Sequence, residues 1–347
     1  MPVNRLTSVQ GSAGSELHKQ EGLQKGDIFR AEVVESKEGQ AVLRIGGMLK
    51  RVISTVPLKA GEIALFRVKD FQNSLLVLQK HGDIPTGLEE KSLSGLLREL
   101  GLPVSVAGQK VIAHLLSKGL PLSKELIEYI IKGQSSLPGN LRESFIKIAA
   151  WLYGTGMRDP QSHQNVMRTL LYSNEILSFI GLLLKGAIER EPEEVKKQWA
   201  DLVMAQRDIN QSKQDSPHLP DILFYPLPLS WNEQRVPAQL YIIMKNKQQM
   251  AAEETLSLIL SLQGENMGML WFEIKIQGKV LNITAYAQDQ DVADHLAGSR
   301  VLLKDALAQI GFQINSFSCL VKSIPSVFEL ADELGRSERY RSLDIKV

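Results

Sequence analysis

From about residue 26 the chain alternates apolar and polar positions with a period of two. The runs "DIFRAEVVES", "QAVLRIGG", "LKRVIST", "EIALFRVKD" and "SLLVLQK" are short, rich in β-branched residues and bounded by Glu38-Gly39, Gly46-Gly47 and Ala60-Gly61. Such runs predict strands, and five of them close together predict a small antiparallel β-barrel over residues 26–82. After "HGDIPTG" the period lengthens to about 3.6, so residues 86–205 read as a helical region. One phrase recurs there: "GLPVSVAGQKVIAHLLSKG" from Gly101, "GLPLSKELIEYIIKG" from Gly119 and, more loosely, "GMRDPQSHQNVMRTLL" from Gly156. Each copy opens on Gly, continues with Leu or Met and supplies a Ser or Asp to cap the next helix, with Pro160 in a first turn after Asp159. Degenerate helical repeats of this kind imply packing or partner contact.

The pattern fades over residues 206–221, a polar linker closed by prolines, and returns as a C-terminal α+β domain over residues 222–325. Pro226, Pro228 and Pro237 forbid helix and frame an edge segment that leads into a strand at Gln239–Met244. The stretch "WFEIKIQGKVLNITAYA" is a hairpin. A Gln277-Gly278 turn would set Ile274 opposite Leu281, Phe272 opposite Ile283 and Leu270 opposite Ala285. One face is then apolar, and the other carries Glu273, Lys275, Asn282 and Thr284 together with Trp271. An aromatic on a polar face is a candidate partner anchor. On that reading Trp271→Ala weakens partner binding and leaves the fold intact. A helix follows from about Asp289 to Ile310, with Gly298 as a possible break, and "QINSFSCLV" returns the chain to the sheet. The expected fold class is multidomain α+β: N-terminal antiparallel barrel, helical middle, and C-terminal antiparallel sheet covered by one helix. The tail, 326–347, reads as a short amphipathic helix with an extended end and carries no functional signal.

Composition removes several functions. Lys+Arg at 40 against Asp+Glu at 39 leaves a net charge of +1, so no global field draws the chain to nucleic acid or an anionic membrane. The barrel alone carries nine basic residues against six acids, but its aromatics are only Phe29, Phe66 and Phe71, and the first two fall at core positions. A nucleic-acid-binding barrel is therefore a minor alternative. His114 and His163 have no companion at metal-ligand spacing, and Asp289, Asp291 and Asp294 open a helix, where acids suit the dipole. No HExxH, GxSxG, Walker loop or post-strand GxGxxG occurs, so neither an enzyme nor a cofactor is expected. Cys319 is single and lies in an apolar run, which suits a reducing compartment. Residues 1–25 are Ser-, Gly- and Gln-rich and lack the apolar core of a cleavable signal, so the expected location is cytoplasmic, with an uncleaved export signal as the sharper reading of this terminus.

Residues 225–322 resemble the C-terminal domain of the flagellar hook-length control proteins. The resemblance rests on "LPLSW…VPAQLYI", on "TLSLILSLQGENMGMLWFEIKIQGKVLNITAYA" and on "DHLAGSRVLLKDALAQIGFQINSFSCLV", with Gln263-Gly264 standing where the family often has Leu-Gly. It implies a non-enzymatic protein that engages the flagellar type III export apparatus. Its partners would be hook components and the cytoplasmic domain of the export-gate protein, and it would switch export from hook to filament substrates. The partner-binding candidates are Trp271 and the entry residues Pro226, Leu227, Pro228 and Leu229. Rulers of this family commonly carry a long unfolded Pro-, Gln- or Thr-rich stretch, which the short linker here does not supply. A non-enzymatic cytoplasmic adaptor is the other alternative.

Overall fold

A computed structural model describes residues 23–331 except for 38, 46–47, 74, 84–89, 158, 185–192, 213, 215–218, 232–233, 245–254 and 265. The N-terminal segment, residues 213 and 215–218 of the linker and the last sixteen residues of the tail therefore lie outside the described residues. Five strands, β1 (Ile28–Lys37), β2 (Gln40–Ile45), β3 (Met48–Ser54), β4 (Ile63–Gln72) and β5 (Leu75–Asp83), close into a barrel in the order β1-β2-β3-β5-β4. The pairing is antiparallel except between β3 and β5. Alternate residues point inward, as the period of two demands, and Phe29, Val33, Leu43, Val52, Phe66 and Leu78 fill the interior. Phe29 and Phe66 are wholly buried, with ring centroids 6.3 Å apart, so neither can stack on a base.

Among the described residues seven helices follow: α1 (Glu90–Glu99), α2 (Val106–Ser117), α3 (Lys124–Ser135), α4 (Gly139–Gly154), α5 (Pro160–Leu171), α6 (Ser173–Leu184) and α7 (Glu193–Gln211). The recurring phrase is a helix-to-helix joint. Gly101, Gly119 and Gly156 all have positive φ, 68°, 66° and 68°, and stop the preceding helix in the left-handed region that glycine enters without strain. The polar residue downstream caps the next helix. Ser105, Ser123 and Asp159 accept hydrogen bonds from the backbone N–H groups of Gly108, Leu126 and Ser162.

The C-terminal sheet contains β6 (Asp221–Trp231), β7 (Gln234–Met244), β8 (Thr255–Gly264), β9 (Gly268–Gln277), β10 (Val280–Ala287) and β11 (Gln313–Val321). Its order is β11-β10-β9-β8-β7-β6. All neighbours run antiparallel except β10 and β11, because a crossover of two helices, α8 (Gln290–Gly298) and α9 (Arg300–Gln309), joins that pair. The helix expected over Asp289–Ile310 is thus divided at Ser299, directly after Gly298. The hairpin turn is Gly278-Lys279, and Ile274 pairs with Ile283 and Ile276 with Leu281. Gly278 takes the positive φ, 58°, at the first turn position, which moves the pairing by two residues from the expected register. An even slip leaves every side chain on its expected face.

The linker is a fixed joint between the helical region and the sheet. α7 continues to Gln211, and beyond it Gln214 Nε2 donates to the Trp151 carbonyl at 3.1 Å while its backbone N–H donates to Asp221 at 3.0 Å. Gly154 permits this approach, since a Cβ there would stand 2.5 Å from Gln214 Oε1. Trp151 Nε1 donates to the Pro220 carbonyl at 2.8 Å, and the Trp151 ring meets Phe328 edge-on at 5.9 Å. One hydrophobic core consequently runs from α1 through the helices to Phe224, Tyr241, Ile259, Trp271 and Tyr286 of the sheet.

The barrel is tied to the helices through Ile28, whose backbone pairs with that of Leu122. Asp27, beside this joint, is buried, accepts the Gln24 N–H at 2.7 Å, and is raised from 3.8 to about 6 chiefly by desolvation, with the charge of Glu125 adding to the rise. Between those two pH values the folded chain holds more protons than the unfolded one, so its stability falls as pH rises through the window. Asp27→Asn keeps the acceptor and removes the buried charge. It is expected to raise the melting temperature at pH 7.5 and to lose that advantage by pH 4, as followed by circular dichroism.

Candidate functional site

The two faces of the C-terminal sheet are covered unequally. On the inner face, Ile222, Phe224, Gln239, Tyr241, Ile243, Ser257, Ile259, Ser261, Met269 and Trp271 are all buried. α6 and α7 pack on this side of β6–β8. Among the polar side chains, Gln239 Oε1 accepts from Tyr241 Oη at 3.0 Å and from Ser261 Oγ at 3.1 Å, while Gln239 Nε2 and Trp271 Nε1 are enclosed without a partner. Desolvation pushes the Tyr241 phenol well above the usual range, so it stays a neutral donor.

Trp271 belongs to this inner face, which corrects the expectation of an exposed anchor. It is 1% exposed and stacks on Tyr241 with centroids 6.5 Å apart and planes 19° from parallel. The sequence reading placed it correctly by parity but took a face carrying Glu273 and Lys275 for a solvent face. Those two residues sit further along β9, half-buried and paired with each other at 3.1 Å, while Glu273 also accepts from Tyr286 Oη. The polar and buried parts of one face are separated along the strand, which alternation cannot show.

The outer face is apolar from edge to edge. Leu223, Tyr225, Leu227 and Leu229 of β6, Leu240 and Ile242 of β7, and Leu256, Leu258 and Leu260 of β8 share it through the pairings of Leu227 with Ala238, Leu240 with Leu260, and Ile242 with Leu258. On β9 the face continues through Phe272, Ile274 and Ile276. α8 covers only the far side, where Val292, Ala293 and Leu296 pack with Leu270, Phe272 and Cys319. Over β6–β8 the large outer side chains remain half-buried, and Leu229 and Leu256 are 37% and 42% exposed. No outer position from Leu223 to Leu229, Val236 to Ile242 or Leu256 to Leu262 carries a charge. A continuous uncharged surface of this kind is a candidate for macromolecular contact.

The entry residues named from sequence divide accordingly. Leu227 and Leu229 stand on the open outer face, whereas Pro226 and Pro228 share the parity of Phe224. The outward backbone groups of Phe224 are taken up by Asn210, whose Oδ1 accepts its N–H at 2.6 Å and whose Nδ2 donates to its carbonyl at 3.1 Å. Pro226 and Pro228 then offer no N–H at the next two outward positions of edge strand β6. Strand addition at this edge is disfavoured.

Comparison with known families bears on this domain. Residues 244–325 match the family model of the flagellar hook-length control protein FliK. The match extends from the last residue of β7 past β11, about a quarter of the chain. It takes in β8, β9 and the α8 side of the outer face, and it leaves out β6, nearly all of β7, the barrel and the helices. No curated protein matches the chain. Among the described residues no helix is long and apolar enough to cross a membrane.

The position of Trp271 in the hook-length-control-like domain makes it structural. Trp271→Ala is expected to cost about 3–5 kcal/mol, the range for removing a buried large aromatic. Urea unfolding checks this: a lower midpoint with unchanged slope is the expected result.

Proposed function

We propose that this chain is a hook-length-control-type regulator that contacts the cytoplasmic domain of the flagellar export-gate protein and promotes the change from hook to filament export. The observation that carries the reading is an uncharged, half-exposed apolar sheet face that adjoins the family match, which takes in its β8 part but not β6 or most of β7. Leu227, Leu229, Leu256 and Leu258 are its contact residues, with Leu229 and Leu256 the most exposed of them. Apolar anchors in such a patch supply most of the binding energy of a contact, and the sealed β6 edge favours face-on docking.

The fold favours the switching half of this role over the measuring half. A ruler must present an extended length of chain, whereas the helices from α1 to α7 share one core with the sheet. Hook components would then be met through surfaces of the folded chain rather than by a stretched segment.

Electron microscopy of hooks tests the proposal in the encoding organism with the gene deleted and then restored as wild type or as Leu229→Asp with Leu256→Arg. Deletion is expected to give hooks of uncontrolled length that lack filaments, and the double variant to reproduce that defect while keeping the wild-type melting temperature. At the level of binding, the same variant is expected to lose at least about tenfold in affinity for the isolated export-gate domain, about 1.4 kcal/mol. Normal hooks and filaments after deletion would replace this reading with that of an adaptor outside hook assembly.

A further inference from the structure

The two edges of the C-terminal sheet are built differently. On β6, Pro226, Pro228 and the side chain of Asn210 leave few outward backbone groups for another strand. β11, at the opposite end of the strand order, carries neither proline nor charge over its 9 residues, Gln313–Val321. The Lys322 N–H donates to the Ala287 carbonyl at 2.9 Å, and the direction of bonding alternates along a strand. The N–H and carbonyl groups of Phe317, Cys319 and Val321 therefore point away from β10. An uncharged edge of this length is a template for a further strand.

Beside that edge lies a helix with little cover. α8 packs on β10 and β11, and α9 packs on β11. α9 buries no residue. Leu303 and Leu307 are half-buried, while Val301 and Leu302 are 64% and 74% exposed. The strand thus offers hydrogen bonds, and the helix next to it offers apolar surface.

We infer that β11 pairs antiparallel with β11 of a second copy of this chain, about a two-fold axis perpendicular to the sheet. Such an axis keeps both helical crossovers on one side of the joined sheet, so the two α9 helices lie side by side and cover Val301 and Leu302. A bare strand added by a different protein leaves those side chains in water. The charges are self-complementary as well. Antiparallel α9 helices centred on Leu302 and Leu303 set Asp305 opposite Arg300 of the second copy, and the paired strands oppose no charge at all. Lys322, the first charge beyond β11, stands over the Tyr286 ring of β10, 5.8 Å from its centroid. Both ends of the joined sheet are then β6, so no open edge remains. The pairing leaves the outer face of β6–β8 free and stands whether or not the export-gate contact is found.

Sedimentation velocity on the full chain tests this, and a dimer that grows with concentration is expected. Leu302→Lys with Leu320→Lys, both at exposed positions, is expected to weaken association at least tenfold and to leave the circular dichroism spectrum unchanged. A nitroxide on Ser318→Cys, in a chain with Cys319→Ser, locates the contact. Paired strands lie about 4.8 Å apart, so the two labels are expected within about 20 Å of each other by pulsed electron paramagnetic resonance. A monomer at every concentration overturns the inference, as does a dimer that survives both lysines or holds its labels beyond that distance. A monomer that binds a synthetic peptide copied from 313–321 overturns it too, and gives the edge to an extended segment of a different protein.

Discussion

The C-terminal half depends on one contact, the burial of the inner sheet face against α6, α7 and the end of α4. Phe224, Tyr241 and Trp271 form an aromatic row whose first pair has centroids 5.2 Å apart and whose second pair has centroids 6.5 Å apart. No strand hairpin of this size holds such a row out of water unaided, and the helices lack a core of their own that excludes it. The stacking of helices on sheet therefore sets the orientation of everything else. It fixes which face is open, where β6 lies, and how Asn210 can reach across to seal the Phe224 backbone.

Cover on the two faces is offset along the sheet. The helical region shields the inner face at β6–β9, α8 shields the outer face at β9–β11, and each leaves the diagonal quarter bare. On the inner side of β10–β11 that quarter is polar, with Asn282 accepting from Asn315 Nδ2 and Ser316 Oγ and with Ser318 donating to Thr284. On the outer side of β6–β8 it is leucine-rich. The two quarters thus contrast in composition, and the second is the candidate contact surface.

Local features were legible in the amino-acid order because local chemistry decides them. The capping serines, the helix-stopping glycines of the recurring phrase, the division after Gly298 and the parity of the hairpin all follow from one or a few adjacent residues. What escaped was the packing of one region upon another. Trp271 among Glu273 and Lys275 looks like a surface residue until the helical region is placed on that face, and nothing in the 271–287 stretch encodes that placement. The signal lay in the set rather than the residue, since Phe224, Tyr241, Trp271 and Tyr286 share one parity across four strands. The linker shows the same limit: its polar residues Asn210 and Gln214 are bound to backbone groups of neighbouring elements, which its composition does not encode.

That joint separates the extent of the family match from the extent of the core. The segment that matches the hook-length control family begins at Met244 and so excludes Phe224, Tyr241 and the helices on which Trp271 rests. Cut out at those borders, it would keep four strands and the α8 cover of the outer face but lose the helices that bury Trp271 on the inner one. In this chain the segment that matches the family and the unit that shares one core have different borders, and residues outside the match help to keep it folded.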